Sequence, residues 1–209
     1  MKVAGIPSSQ IVILGHSLGT AVASSIVESF AKRGVDFAGV TLVAGFSSLP
    51  TMLAGYSIGG VLPVLAPLRA TPWLLEKAMN CVVDKWMSAD RLRETVMAVK
   101  ERNGRLNLQL IHAENDWDIP CIEDDKLFAA AVSGLRGNGD EGEAQQLDDK
   151  TFAREKEART VYSGKDAFVA TWEDGDIVIR QELHPTGGKC SGVGIFEGRI
   201  LTVTPSRTQ

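Results

Sequence analysis

The sequence predicts an α/β fold in which a mostly parallel sheet is flanked by helices. Apolar, β-branched runs alternate with helical segments along the chain, which is the order expected of such a sheet. The first of these runs enters a glycine-containing turn that opens directly into a helix. The chain has 209 residues, of which 44% are hydrophobic and 23% charged, as expected for one globular domain or most of one.

The most informative segment is the turn GHSLG at residues 15–19, a G-x-S-x-G motif that follows the apolar run of residues 11–14. A sharp turn between a buried strand and a helix lifts a serine hydroxyl out of the packed layer. Ser17 is therefore the candidate nucleophile. The backbone N–H of Leu18, at the start of the helix, would point to where an oxyanion forms.

We expect the helix after the turn to run from Leu18 to about Lys32, with Gly34 as its stop. Glycine at positions 15 and 19 is expected to avoid clashes of a Cβ atom in the tight turn. The predicted packing face of this helix consists of Ala21, Val22, Ser25, Ile26 and Ser29.

Further elements follow from the same patterns. Buried strands are predicted over residues 37–46 and 105–112, a helix over 123–132, and a hairpin formed by residues 168–172 and 177–181 around an Asp-Gly turn. The predicted organisation is one domain over residues 1–188, with a helical cap insertion at about 47–104, an acidic, solvated insertion at about 135–160 and an atypical tail at 189–209.

The G-x-S-x-G turn at residues 15–19 and the segment Gly45-Phe46-Ser47-Ser48 after the next strand together resemble the α/β-hydrolase superfamily. The chain resembles most closely the monoacylglycerol-lipase-like and lysophospholipid-lipase-like serine hydrolases of fungi, over about residues 10–188. In this superfamily several strands precede the turn. We therefore expect the chain to represent the C-terminal part of the fold, truncated at its N-terminus.

The resemblance implies a catalytic acid. The superfamily places it after a late strand in a His-x-x-x-Asp-x-x-x-Pro pattern, and residues 112–120 read HAENDWDIP. Asp116 matches the acid, which would orient a histidine base and stabilise its charged form. The neighbouring Glu114 and Asp118 are expected to serve in capping or in hydrogen bonds of the loop.

The base is less clearly marked, because the chain has three histidines. His184 is favoured by chain order, as it alone follows Asp116. In the superfamily, however, the base usually follows a glycine pair, and after the pair at 187–188 this chain has Lys189. His16 is expected to point away from the Ser17 hydroxyl, and His112 to be a structural residue near the site.

The implied substrate is a small-molecule acyl ester or lipid. The cap segment is rich in apolar residues, which suit an acyl-chain pocket or peripheral contact with a membrane surface, and which packing of the cap onto the core explains equally well. The alternative function is a catalytically inactive remnant of the hydrolase fold, lacking the N-terminal strands and the usual base histidine.

The composition limits the classes of partner that we expect. A net charge of −4 without a basic stripe argues against nucleic acid. The three cysteines are widely spaced, so we expect free thiols, no metal site and no cofactor. No signal-peptide pattern opens the chain, and the expected location is cytoplasmic or peripheral to an intracellular membrane.

Overall fold

A computed structural model describes residues 5–55, 57–58, 62–63, 85–136, 149–164 and 167–187. The helices are α1 (Leu18–Ala31), α2 (Leu49–Gly55), α3 (Ser88–Glu101), α4 (Ile122–Arg136) and α5 (Asp149–Ala158). The strands are β1 (Val12–His16), β2 (Gly39–Val43), β3 (Ser57–Ile58), β4 (Leu62–Pro63), β5 (Leu106–Ala113), β6 (Thr160–Gly164), β7 (Ala167–Asp174) and β8 (Ile177–His184).

Six strands form one mixed sheet in the order β1-β2-β5-β8-β7-β6, which confirms the predicted α/β class. β1, β2, β5 and β8 are parallel, and β8, β7 and β6 form an antiparallel meander. In register, His16 lies beside Val43, and Ile111 beside Glu182. The C-terminal ends of the four parallel strands therefore lie along one edge of the sheet.

Helices α1, α3 and α4 pack against one another and form a single layer on one face of the sheet. Alternate strand residues point into this layer, and Leu42, Leu110 and Ile179 are completely buried there. On the opposite face of β1, Val12 and Leu14 are 59% and 69% exposed. Within the described ranges β1 pairs with β2 alone, so one of its edges is unpaired.

The turn between β1 and α1 requires one of the two motif glycines. A Cβ atom on Gly15 would lie 2.8 Å from the carbonyl oxygen of Gly19 and 2.8 Å from Cα of Thr20, closer than real contacts allow. A Cβ atom on Gly19 would meet nothing described within 4 Å, so the expected clash at that position is wrong. Gly34 has φ +76° just past the end of α1, as its predicted role as a stop requires.

The predicted packing face of α1 is wrong in part. Val22 and Ile26 are 53% and 39% exposed, whereas Thr20, Ala23 and Val27 are buried. The reason is that β1 approaches α1 at Gly15, next to Ala23, and this approach turns the small residues toward the sheet. Val22 and Ile26 then face outward.

The predicted cap segment divides into two parts. Helix α3 lies within residues 47–104, yet Leu92 and Val96 are completely buried in the main core. At the start of the cap segment, the loop after β2 is followed by α2 and then by the short antiparallel pair β3–β4. Residues 56, 59–61 and 64–84 of the cap lie outside the described residues, and the boundaries of the predicted domain stay a prediction.

The predicted acidic insertion contains a docked helix. Residues 137–148 lie outside the described part of the chain, but α5 packs through Phe152, whose ring stacks on Trp172 at 6.1 Å. The Arg159 guanidinium lies 4.1 Å from the Trp172 ring centroid. The hairpin is confirmed as β7 and β8, with Gly175 at φ +59° in its turn. The tail at 189–209 is outside the described residues.

None of the helices in the described ranges is long and apolar enough to cross a membrane.

Candidate active site

Ser17 occupies the turn between β1 and α1 in a backbone conformation that few non-glycine residues adopt, with φ 51° and ψ −122°. Its N–H donates to the Val43 carbonyl at 2.9 Å, and its own carbonyl accepts from Thr20 N–H at 2.9 Å and from Thr20 Oγ1 at 2.6 Å. These bonds hold the strained turn from both sides. The Ser17 hydroxyl does not cap α1, although Ser17 is the N-cap residue, so it is not committed to the helix.

The backbone next to Ser17 can stabilise negative charge. Leu18 is the first residue of α1, and the first four N–H groups of a helix have no intrahelical acceptor. The positive end of the helix dipole lies at the same place. The Leu18 N–H is therefore one of the donors without an intrahelical acceptor at this end of α1, directly after Ser17.

Asp116 lies in the loop after β5 and is 7% exposed. One of its carboxylate oxygens, Oδ1, accepts from the backbone N–H groups of Asp118 and Ile119, both at 3.0 Å. The side chain thus builds a tight Asx-type turn, in which Asp116 is the acceptor. Oδ2 takes no part in these two bonds.

His112, near the end of β5, is a second buried polar residue beside this loop. Its side chain is 0% exposed, and Nε2 lies 2.8 Å from the carbonyl oxygen of Ile119. Nε2 is also 4.0 Å from Asp116 Oδ2. This agrees with the expectation of a structural residue near the site.

A small apolar cluster joins the turn that holds Ser17 to the loop that holds Asp116. Phe46, in the loop after β2, is completely buried between Ala21 of α1 and Ile119 of the Asp116 loop. Leu49, Met52 and Trp86 pack against this cluster from the start and the end of the predicted cap segment. The spacing between Ser17 and Asp116 therefore depends on packing around Phe46.

Glu123 ties the same loops together through polar contacts. Its Oε2 accepts from Ser47 N at 2.8 Å and from Ser47 Oγ at 2.5 Å, and Oε1 contacts Lys126 Nζ at 2.5 Å. Burial raises the pKa of Glu123, but hydrogen bonds from Lys126 and Ser47 outweigh it and hold the pKa below its usual value. Glu123 is therefore a charged anchor between the start of α4 and the loop after β2.

His184 is the last residue of β8, and its Nε2 lies 3.5 Å from Oε2 of Glu182 on the same strand. Glu182 in turn accepts from Gln109 Nε2 at 2.6 Å. β8 is three strands from β1, which is roughly 14 Å at about 4.8 Å per strand. The structure therefore does not bring His184 into contact with Ser17, and its role as the base stays a prediction.

A shallow cavity lies along the C-terminal ends of the parallel strands. Its volume is about 30 Å³, which is room for about one water molecule. Its walls include all three histidines of the chain, His16, His112 and His184, together with Asp116. The cavity brings the predicted acid and the predicted base to one site, whereas Ser17 is not part of its wall.

The remaining candidates add little. Lys189 lies outside the described residues. Burial, and next the charge of Glu114, raise the pKa of Cys121 to about 11, so this free thiol is not a competing nucleophile at neutral pH. Among the residues that the structure describes, no group of three or more His, Cys, Asp or Glu side chains could hold a metal ion.

Sequence reasoning missed Glu182 and Glu123 as members of the site. For Glu182 the pattern contained a usable observation, because residues two apart on a strand point to the same face and Glu182 lies two before His184. For Glu123 the sequence contained no such observation, since its partner Ser47 lies 76 positions away in the sequence.

Together, the sheet order, the helices after the first strands and the strained serine at the turn define an α/β fold in which a parallel strand passes through Ser17 into a helix. No protein-family model and no curated protein sequence matches the chain. Among solved structures, it is similar to two crystal structures of Pyrococcus horikoshii acylaminoacyl peptidase, one uncomplexed and one in an orthorhombic form, at 16% identity each. The TM-scores are 0.39 and 0.37, and the match covers 76% of this chain and 26% of that chain. The chain thus spans about a quarter of the length of that peptidase.

Proposed function

We propose that the protein is a serine hydrolase that cleaves carboxylic esters through an acyl-enzyme. The observation that carries the proposal is the conformation of Ser17, which sits at φ 51° between a parallel strand and a helix N-terminus. Backbone strain of this kind costs about 1–3 kcal/mol and persists only where the surroundings enforce it. Such strain is typical of residues whose side chain must be presented to a reactant.

In the proposed reaction, Ser17 Oγ attacks the acyl carbonyl and its proton passes to a histidine base. The Leu18 N–H donates to the oxyanion of the tetrahedral intermediate. The base then protonates the departing alcohol, which leaves an acyl-serine. Water, deprotonated by the same base, hydrolyses this ester and regenerates Ser17. Asp116 would orient the base through Oδ2, because Oδ1 is already bound to the loop.

We further propose an acyl ester of lipid-like character as substrate, as in the monoacylglycerol-lipase-like enzymes that the sequence resembles. Its support is apolar surface next to the turn. Leu49 and Met52 of α2 and Trp86 pack around Phe46, which itself contacts the helix that carries Ser17. An acyl chain that extends from the Ser17 hydroxyl along this cluster would be in apolar surroundings.

A fluorophosphonate probe tests the nucleophile, because it forms a covalent bond only with an activated serine. We expect labelling of the folded wild-type protein and none of the Ser17→Ala variant. Ser24→Ala is the matched control, since Ser24 is a completely buried serine of the same helix whose hydroxyl bonds to the Thr20 carbonyl. Folded wild-type protein that resists the probe would refute the hydrolase.

The second candidate is an inactive hydrolase-fold protein. It is favoured by the position of His184, whose Nε2 contacts Glu182 at 3.5 Å on a strand three positions from β1 in the sheet, since a base must reach the proton that it removes. Labelling of His184→Ala at the wild-type rate would exclude His184 as the base. Cooperative unfolding combined with no labelling of the wild type would establish the inactive alternative.

A further inference from the structure

We propose that His112 is a positioning residue that fixes the orientation of the Asp116 carboxylate through the backbone of Ile119. The inference rests on the proposed function for its catalytic meaning, because Asp116 is the acid of that reaction. His112 touches neither Ser17 nor the Ser17 turn through any hydrogen bond in the described residues. It would act only through the loop.

The hydrogen-bonding state of the His112 ring follows from its partner. Nε2 lies 2.8 Å from the Ile119 carbonyl oxygen, and a carbonyl can only accept, so Nε2 must carry the hydrogen. In the neutral ring, Nδ1 is then the acceptor. Nδ1 is buried without a hydrogen-bond partner among the described residues, so the contact with Ile119 is the hydrogen bond that holds the ring.

Ile119 forms hydrogen bonds with the side chains of both Asp116 and His112. Its N–H donates to Asp116 Oδ1 at 3.0 Å, and its carbonyl accepts from His112 Nε2. His112 and Asp116 therefore hold Ile119 from its two polar ends. Ile119 is also 2% exposed and packs on Phe46, so it has little freedom to follow a displaced partner.

This arrangement leaves one carboxylate oxygen of Asp116 for catalysis. Oδ1 is bound to two backbone N–H groups, and Oδ2 lies 4.0 Å from His112 Nε2, beyond a hydrogen bond. If the Ile119 backbone were released, the Asp116 carboxylate could rotate and Oδ2 would lose its fixed direction. Outer residues that orient a metal ligand typically affect activity by about 10–100-fold, and we expect an effect of the same order where the oriented group is the Asp116 carboxylate.

Two variants of His112 distinguish the effect of its hydrogen bond from the effect of the volume of its ring. His112→Met fills a similar space but has no N–H donor, whereas His112→Gln keeps an N–H that can reach a carbonyl. We expect the fluorophosphonate labelling rate to fall about 10–100-fold in His112→Met and to recover largely in His112→Gln. Thr95→Ala is the control, since Thr95 is 1% exposed and donates to the Arg91 carbonyl away from the site.

Hydrogen exchange of the Asp118 and Ile119 amides provides a readout that does not depend on activity. We expect faster exchange of both amides in His112→Met, wild-type rates in Thr95→Ala, and intermediate rates in His112→Gln. Unchanged exchange in a folded His112→Met protein would overturn the inference. So would equal labelling rates of the wild type and His112→Met. If the wild type is not labelled at all, the proposed hydrolase fails, and the exchange rates alone then decide the role of His112.

Discussion

Glu123 and Asp124 are consecutive residues at the start of α4, and their carboxyl groups lie in opposite electrostatic environments. Glu123 accepts hydrogen bonds from Ser47 and Lys126, which hold its pKa low. Asp124 is 1% exposed and accepts from Gln181 Nε2 at 2.9 Å, while its Oδ1 has no partner among the described residues. Burial therefore raises the pKa of Asp124 to about 7.

The raised pKa of Asp124 predicts that the protein loses stability as the pH rises from about 4 to about 7. In that range the unfolded chain releases a proton that the folded protein keeps, so the unfolding free energy falls with pH. A pKa of about 7 in the folded protein against 3.8 in the unfolded chain corresponds to on the order of 4 kcal/mol. Asp124→Asn removes this contribution, and its stability, measured by urea unfolding at pH 5 and pH 8, should depend less on pH.

The charged groups around Asp124 allow a control for this prediction. Asp125 faces it and raises its pKa further, while Lys156 lowers it and contacts Asp125 at 2.5 Å. Asp125→Asn should therefore reduce the pH dependence only in part. A pH dependence in Asp124→Asn as steep as in the wild type would show that another group is responsible.

Removal of the Glu123 anchor should destabilise the loop after β2. Glu123→Ala leaves the buried Ser47 N–H without its acceptor, which costs about 1–3 kcal/mol of unfolding free energy. Glu123→Gln keeps an acceptor oxygen and should cost less. Because the pKa of Glu123 is lowered on folding, its contribution is complete above the unfolded value of 4.5 and is lost as the pH falls below it. Equal costs for the two variants would contradict the role of the acceptor.

The two glycines of the turn should respond oppositely to a methyl group. Gly15→Ala places Cβ 2.8 Å from backbone atoms of Gly19 and Thr20, so we expect a loss of about 2–3 kcal/mol or more. Gly19→Ala meets open space in the first turn of α1 and should be neutral or stabilising by roughly 0.5 kcal/mol. Thermal unfolding of both variants tests the pair, and similar losses in both would refute the close approach of β1 and α1.

Ser17→Gly should be more stable than Ser17→Ala. Glycine adopts the positive φ of this position without a Cβ clash, whereas alanine keeps the strain. We expect a difference of about 1 kcal/mol in unfolding free energy between the two inactive variants. Ala44 also has φ 51°, at the end of β2, so Ala44→Gly should gain a similar amount. A less stable Ser17→Gly variant would mean that the turn is not strained.

The edge of β1 that has no partner strand within the described residues should promote self-association. Val12 and Leu14 expose apolar surface on β1, and Leu18, Val22 and Ile26 of α1 are exposed as well. An exposed apolar edge strand is a site of edge-to-edge pairing, and a charge there prevents it. Leu14→Lys should lower the apparent mass in light scattering at high protein concentration. The Val161→Lys variant, on the other edge strand β6, is the comparison for a general effect of charge.

Local structure could be predicted from the sequence wherever one short segment determines it. The strand, turn and helix around Ser17, the stop at Gly34 and the hairpin turn at Gly175 were all predicted, because each depends on neighbours in the chain. The docking of α5 was not predicted. Its charged sequence contains only one aromatic anchor, Phe152, and the partner of that residue, Trp172, lies 20 positions later. Its predicted solvated character follows from composition alone.

The site was predictable one residue at a time but not as an assembly. Asp116 is the acid that the resemblance implies through its distance from Pro120; the structure places it in a buried loop, and its role as the acid stays a prediction. The position of His184 relative to Ser17 depends instead on the number of strands between them. That number follows from the sheet order, in which β6 and β7 are added beyond β8, and no local pattern determines it.

The meander of β6, β7 and β8 also has a consequence for the order of folding. Its contacts are local, whereas the pairing of β8 with β5 joins Leu106 to Ile177 across a long separation in sequence. Closing such a loop is slow, because its entropy is lost before the contacts form. We expect the meander to form early, and the pairing of β5 with β8, like that of β2 with β5, to form late. In pulse-labelled hydrogen exchange, amides of β8 that face β5 should then be protected last, and simultaneous protection of all strands would exclude this order.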